Sequence, residues 1–372
     1  MSLIRYVTRI HFADRAMEDA LPEELRTRGL SAPLILADAD AEAALPRLLD
    51  CLPPRTRPTV IRVDPDPGLE AAQCLQPGTH DLVIGLGGGA AIDLARLAGT
   101  PPSGPRRRRS VGGSGTDTGD GGGVPRMVIP TLPGCLGLGP LALAGNVTGP
   151  SLPLGLAAAE TRAPVPCVLF CDPWLMRHAS PARLAVAGMD GLVHCLEALL
   201  STAWNPPADG MAFDGLRRAG RWLERLCADP TDPEARHEVM AAALNGALAT
   251  QKGLGAIHAL AHAAERLALG AVPHGSLHAA VIGPVLDFNA PAVPERMARA
   301  AEALHLSAAP ELAGHLTELG YRLGLPRTLA HLGVTPTGAA RLAEAAAEAP
   351  ANRSNPRLAC AEDYRNIIEA AS

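Results

Sequence analysis

Short β-rich apolar runs alternate with helical patterns through the first half of the chain, and then the strand signals stop. The candidate strands are Tyr6–Phe12, Pro33–Ala37, Thr59–Val63, Asp81–Leu86, Arg126–Pro130 and Cys167–Cys171. Between them lie amphipathic segments such as Ala41–Leu52 and Ala90–Leu97. Alternation of this kind predicts a mostly parallel sheet flanked by helices. From about Pro181 onward, Ala- and Leu-rich segments with helical period run to the C-terminus. Asp172-Pro173 closes the last strand, and Ser180-Pro181 has the form of an N-cap followed by proline at the first helical position. The expected architecture is an α/β domain over residues 1–175 and an all-α domain over 176–372, the latter punctuated at Pro230–Pro233 and at Val334-Thr335-Pro336.

A length of 372 residues agrees with two domains rather than one core. Hydrophobic residues make up 47% and charged residues 19%, as in a soluble globular protein, while aromatics are only 3%. The core must therefore be built from Ala, Leu and Val. A net charge of −5 leaves no electrostatic footprint for nucleic acid. The long uncharged run Met127–Ala159 is interrupted by Pro and Gly and contains Asn146, so no membrane span is expected. Charge comes too early in Met1-Ser2-Leu3-Ile4-Arg5 for a signal peptide. The 8 cysteines form no CxxC pair and read as reduced, core-filling thiols of a cytoplasmic protein. Pro101–Gly123, with Arg106–Arg109, reads as a solvated surface loop, with an anion-binding flap as the alternative.

Asp190 and His194 are spaced i, i+4 within Gly188-Met189-Asp190-Gly191-Leu192-Val193-His194, which puts both on one helix face. Taken alone, such a pair is more often a local hydrogen bond or a cap than a metal site. His258 and His262 repeat the spacing, and Val272-Pro273-His274-Gly275 supplies another histidine where Pro and Gly break the pattern. In an apolar, Ala-rich domain such groups need partners or a metal. An aspartate with three imidazoles makes an N3O site suited to Fe²⁺ or Zn²⁺. Separately, Asp81-Leu82-Val83-Ile84-Gly85-Leu86-Gly87-Gly88-Gly89 runs a buried strand into three glycines and a helix. That is either a tight turn or a phosphate cradle at a helix N-terminus. Asp38 ends an earlier strand where an acid can hold a ribose hydroxyl.

Together these segments resemble the iron-containing (group III) alcohol dehydrogenase family, which includes the maleylacetate reductases. Gly85–Asp93 looks like the family's GGGS-x-x-D loop, and Gly188–His194 is similar to its G-M-D-A-L-T-H helix. Gly255–His262 with Pro273-His274-Gly275 resembles its G-x-x-H-A-x-A-H … P-H-G signature, and Asn355-Pro356-Arg357 its N-P-R. The resemblance implies a Rossmann-like α/β domain, a helical domain and a site in the cleft between them. It implies Asp190, His194, His258 and His274 as metal ligands and His262 as the non-ligand histidine that relays a proton. It implies a dinucleotide along Gly87, Gly88, Gly89, Ala90 and Thr131, with Asp38 at the adenosine ribose favouring NAD over NADP. A homodimer or larger assembly follows from the same resemblance. The chain departs from the pattern at Leu132–Leu138, where polar groups are replaced, at Ala90 in place of serine, and at His278 in place of a common asparagine.

The expected activity is interconversion of a small alcohol with an aldehyde or ketone by hydride transfer. Two alternatives are a lyase or cyclase like dehydroquinate synthase and a non-catalytic metal-binding relative.

Overall fold

The computed structural model describes residues 8–64, 78–98, 124–134, 136–138, 166–267 and 272–372. The start of the chain and the Arg-rich segment 101–123 lie outside the described residues, as does Cys135. Six strands form one sheet: β1 (Arg9–Phe12), β2 (Pro33–Ala37), β3 (Thr59–Arg62), β4 (Leu82–Gly87), β5 (Arg126–Pro130) and β6 (Val168–Cys171). They lie in the order β1-β6-β5-β4-β2-β3, and every pairing is parallel. Each expected strand is present: β2 and β5 keep their expected limits, and the other four shift by one to three residues at one or both ends. Helices α1 (Ala16–Arg28), α2 (Leu45–Cys51) and α3 (Gly89–Leu97) connect them. The segment Ala41–Leu52 is not one helix. Asp38 accepts a hydrogen bond from the Asp40 N–H and caps a 3₁₀ turn over Ala39–Ala41, after which α2 starts afresh. Local side-chain capping has overridden the helical period there.

β2, β4, β5 and β6 are buried along their whole length, as parallel strands covered on both faces must be. On one face Ile35, Ile84, Ile129 and Phe170 pack against Met17, Leu21 and Leu25 of α1 and Leu48 of α2. On the other, Val128, Leu169 and Cys171 meet Ile92 of α3 and Leu223 and Met240 of the helical half. β2 and β4 are neighbours, yet the chain leaves β2 toward the β3 edge and β4 toward β5. A crevice opens at the carboxyl ends of two strands that diverge in this way. Asp38, Gly87 and Gly88 sit there.

Nine helices follow among the described residues: α4 (Pro181–Leu200), α5 (Pro206–Ala228), α6 (Pro233–Ala249), α7 (Ala256–Arg266), α8 (His274–Asn289), α9 (Pro294–Ala303), α10 (Glu311–Arg322), α11 (Pro336–Glu348) and α12 (Ala361–Ala370). Four of them begin with a capping side chain followed by proline, at Ser180, Asn205, Asp232 and Thr335. These caps satisfy N–H groups that the first turn leaves unpaired, which is why the starts are legible in sequence. α4 is the axis of this half, packed against α5, α6 and α8 through small and aliphatic side chains. No described helix is long and apolar enough to cross a membrane.

One buried carboxylate ties the edge of the sheet to α1. Glu24 is 3% exposed and accepts hydrogen bonds from Arg9 (2.8 Å), His11 (2.8 Å) and Arg28 (3.0 Å). Burial alone would raise this carboxyl, but the three donors outweigh it and lower it from 4.5 to about 2. Its contribution to stability is therefore present above pH 4.5 and is lost as pH falls toward 2. Arg9 is more than half exposed, so the whole cluster is worth only ~1–2 kcal/mol. Glu24→Gln is expected to lower the thermal midpoint by a few degrees at neutral pH and to flatten the acid limb of the stability curve. Calorimetry between pH 3 and 7 checks both.

Candidate metal centre and cofactor crevice

Successive turns of α4 present Arg183, Val186, Ala187, Asp190 and His194 to a cavity of about 190 Å³. α7 contributes His258 and His262 to the same cavity, and the first turn of α8 contributes His274. Asp190, His194 and His258 each place one donor atom within 4.8 Å of the others. Asp190 Oδ1 is 3.7 Å from His258 Nε2, and Asp190 Oδ2 is 4.0 Å from His194 Nδ1. The His194 and His258 rings stack at 4.6 Å between centroids. Asp190 Oδ1, His194 Nδ1 and His258 Nε2 are buried and have no hydrogen-bond partner among the described residues. Buried polar atoms left bare in this way are costly unless a cation completes them. One hard oxygen and imidazole nitrogens converging on one point fit a divalent metal.

Two carboxylates stand behind the imidazoles. His258 Nδ1 donates to Glu197 Oε2 at 2.7 Å, which turns its other nitrogen toward Asp190. The same carboxylate accepts the Gly255 N–H (2.8 Å) and the Ile257 N–H (2.7 Å), so it also holds the N-terminus of α7. Asn355 accepts the Ala256 N–H at 3.0 Å and completes that cap. His274 Nδ1 is likewise paired with Glu265. Such outer carboxylates fix the tautomer and orientation of a ligating imidazole. Neither glutamate was singled out in the sequence, although the signal was there. Glu197 is seven residues beyond Asp190, and Glu265 seven beyond His258, so each extends a helix face already identified.

Burial opposes charge on His258, but Glu197 and Asp190 outweigh it and push its pKa up to about 9. For Asp190, burial is overcome by His194 and the other imidazoles, and its carboxyl is held well below the usual range. Burial lowers His194 to about 4. His262 is pushed well below 6.5 by burial and by His274 and His258.

The structure brings three of the four expected ligands together. His274 lines the cavity with its ring centroid 6.1 Å from His258, and its ligand atoms lie outside the group of three. His262 lies between them, 5.7 Å from His258 and 5.3 Å from His274. In the crevice, Asp38 Oδ2 accepts the Gly88 N–H (2.9 Å) and the Ala91 N–H (3.3 Å), while Oδ1 accepts the Asp40 N–H (3.0 Å). Gly87 has φ +133°, and a Cβ there would lie 2.0 Å from Asp38 Oδ1. Glycine is required at this position on both counts. Gly89 lines the cavity, and Ala90 follows it in the first turn of α3. Thr131 donates its N–H to the Gly87 carbonyl at 2.9 Å, and its buried Oγ1 has no partner among the described residues. Leu132 and Leu136 form an apolar wall of the cavity. Across the crevice, Arg183 of α4 pairs with Asp40.

Residues 184–372 match the model of the Fe-containing alcohol dehydrogenase family, C-terminal. A 4-hydroxybutyrate dehydrogenase of Cupriavidus necator is 33% identical over 99% of this chain and 99% of its own. An NAD-dependent methanol dehydrogenase of Bacillus methanolicus is 29% identical, covering 83% of each chain. The solved alcohol dehydrogenase from Oenococcus oeni superposes over 100% of both chains with a TM-score of 0.82 at 21% identity, a likeness of fold. The chain belongs to the iron-containing alcohol dehydrogenase family and is an oxidoreductase of that class. Neither the lyase nor the non-catalytic alternative is favoured by these relatives.

A cation entering beside Asp190 must displace the proton that His258 holds below pH 9. Metal affinity should therefore rise by up to about tenfold per pH unit from pH 6 and level off near pH 9. Competition against a chromophoric chelator across that range measures the slope. A second prediction concerns the seat of α8. A Cβ on Gly275 would lie 1.9 Å from the Val186 carbonyl oxygen of α4. Gly275→Ala is expected to cost ~1–3 kcal/mol of stability, read as a lower thermal midpoint.

Proposed function

We propose that this protein is a divalent-metal-dependent, NAD-linked dehydrogenase that interconverts a small alcohol or short hydroxy acid with the corresponding aldehyde or ketone. The observation that carries this reading is the set of bare donor atoms on Asp190, His194 and His258, facing a cavity that the glycine turn of the crevice also lines. In this reading residues 1–175 bind the dinucleotide and residues 176–372 carry the metal. His274 completes the ligand set through the nitrogen that Glu265 leaves free. A bound Fe²⁺ or Zn²⁺ there supplies Lewis-acid polarisation of the substrate oxygen, and the nicotinamide carries the hydride. His262, kept neutral by its burial beside other imidazoles, takes the hydroxyl proton in the oxidative direction and returns it in the reductive one.

Several features support the cofactor assignment. The crevice lies at a topological switch point, and Gly89 at the N-terminus of α3 opens onto the cavity. The buried Thr131 hydroxyl beside the glycine turn has no partner among the described residues. Asp38 and Asp40 place two carboxylates at the crevice, which disfavours a 2′-phosphate and so favours NAD over NADP. The cavity suits a small substrate: Leu132, Leu136, Val186 and Leu254 line it together with the histidines and Arg183. The relative named 4-hydroxybutyrate dehydrogenase points to the same size class. We also assign the protein to the cytoplasm, in keeping with the buried thiols of Cys171 and Cys195, and as a homodimer or larger assembly. The exposed apolar side chains of Trp204 and Leu358 support the latter.

The test is NADH and NADPH titration of protein loaded anaerobically with Fe²⁺ or with Zn²⁺, followed by NADH oxidation with 4-oxobutanoate and with propanal. Saturable binding with NADH tighter than NADPH, and turnover of at least one aldehyde, is the expected result. No dinucleotide binding by metal-replete protein would sink the reading. His262→Ala should lower kcat by roughly 10²–10⁴-fold with metal content unchanged.

A further inference from the structure

One imidazole at this centre belongs neither to the group of three nor to the expected ligand set. His278 stands one turn beyond His274 on α8, so the two share a face. It is 0% exposed. Its Nδ1 lies 3.5 Å from Asp190 Oδ1, and its ring centroid is 4.5 Å from that of His258. His274, at 6.1 Å, is farther from His258. Neither ring nitrogen of His278 has a hydrogen-bond partner among the described residues.

An imidazole buried with both nitrogens bare is a costly way to fill a position that an aliphatic side chain would fill better. Each nitrogen forfeits its bonds to water and gains no protein partner in return. The groups packed around it are themselves short of a partner: Asp190 Oδ1 and His258 Nε2 are bare as well. Two donors bound to one cation at ~2.0–2.2 Å stand roughly 3–4 Å apart. The Asp190–His278 separation of 3.5 Å falls in that range, as do the Asp190–His258 separation of 3.7 Å and the Asp190–His194 separation of 4.0 Å.

We propose that His278 is an additional metal donor in this protein, a fifth beside Asp190, His194, His258 and the His274 of the proposed ligand set. The proposal rests on the metal reading above and deepens it. A donor added from the second turn of α8 gives the cation more protein ligands than the four of a closed tetrahedral site. That favours a metal that accepts five or six ligands, as Fe²⁺ does, over Zn²⁺ held tetrahedrally.

The test uses full-length wild type, His278→Asn and His278→Gln, stripped with a chelator and reloaded with Co²⁺ as a spectroscopic probe. Three quantities are measured: the melting temperature of the stripped protein, the Co²⁺ dissociation constant by chelator competition, and the visible absorption of the loaded protein. Removing an unsatisfied imidazole should leave the stripped melting temperature unchanged or higher. Loss of a donor should weaken Co²⁺ binding about tenfold or more in His278→Asn. It should also intensify the visible bands, as they do when coordination number falls. His278→Gln, whose amide oxygen can still reach, should recover part of the affinity. If His278→Asn does not fold, His278→Gln decides on the same criteria. Unchanged Co²⁺ affinity and an unchanged spectrum would overturn the assignment of His278 while leaving the metal reading intact. Failure of the wild type to bind Co²⁺ would overturn both.

Discussion

Asp190 carries a negative charge into the helical half of the molecule, and much of the surrounding structure answers that charge. It sits on α4, the helix around which the helical half is packed, and the imidazoles of His194, His258 and His278 close around its oxygens. None of those contacts is short enough to serve as a good hydrogen bond. The carboxylate is therefore held in place by helix packing, with its charge left to be met by a proton on His258 or by a cation. A site of this kind is built for exchange between those two occupants, which couples metal affinity to pH.

The outer carboxylates make that exchange geometrically precise. Glu197 grips the first N–H groups of α7 and the Nδ1 of His258 with the same two oxygens. The position of the helix and the orientation of its histidine are thus set by one interaction. Asn355, from the end of the chain, accepts the neighbouring Ala256 N–H and exchanges hydrogen bonds with Asn289 at 2.8 and 3.0 Å. The near-terminal N-P-R sequence is accordingly a structural clasp on α7, far from the chemistry in sequence and two steps from it in space.

The crevice follows a similar logic with a different anion. Asp38 fills the space beneath the glycine turn and accepts N–H groups at the start of α3. Gly87 is glycine because that carboxylate occupies the volume a Cβ would need. Asp40, next along, is tied to Arg183 of α4, so the rim of the crevice is linked to the helix that bears Asp190 and His194. The wall at Leu132 and Leu136 is apolar, and the Thr131 hydroxyl is a buried polar group beside it.

Much of this was legible in the sequence, because it depends on local rules. The strands β2 and β5 match their expected limits, since a buried parallel strand must be a continuous apolar run. The start of α4 at Pro181 follows from the Ser180 cap, and the shared face of Asp190 and His194 follows from 3.6 residues per turn. The failure at Ala41–Leu52 was also local, a cap at Asp38 competing with helical periodicity. What periodicity cannot give is which helix faces which. That α7 brings His258 against Asp190 of α4, that His274 and His278 both stay outside the group of three although His278 comes within 3.5 Å of Asp190, and that Arg183 reaches Asp40 all depend on packing distances between elements far apart in the chain. The sequence determined the kinds of donor and the faces that carry them. Tertiary packing alone decided which of those donors share a point in space, because contacts of this kind are settled by the volumes of intervening side chains rather than by spacing along the chain.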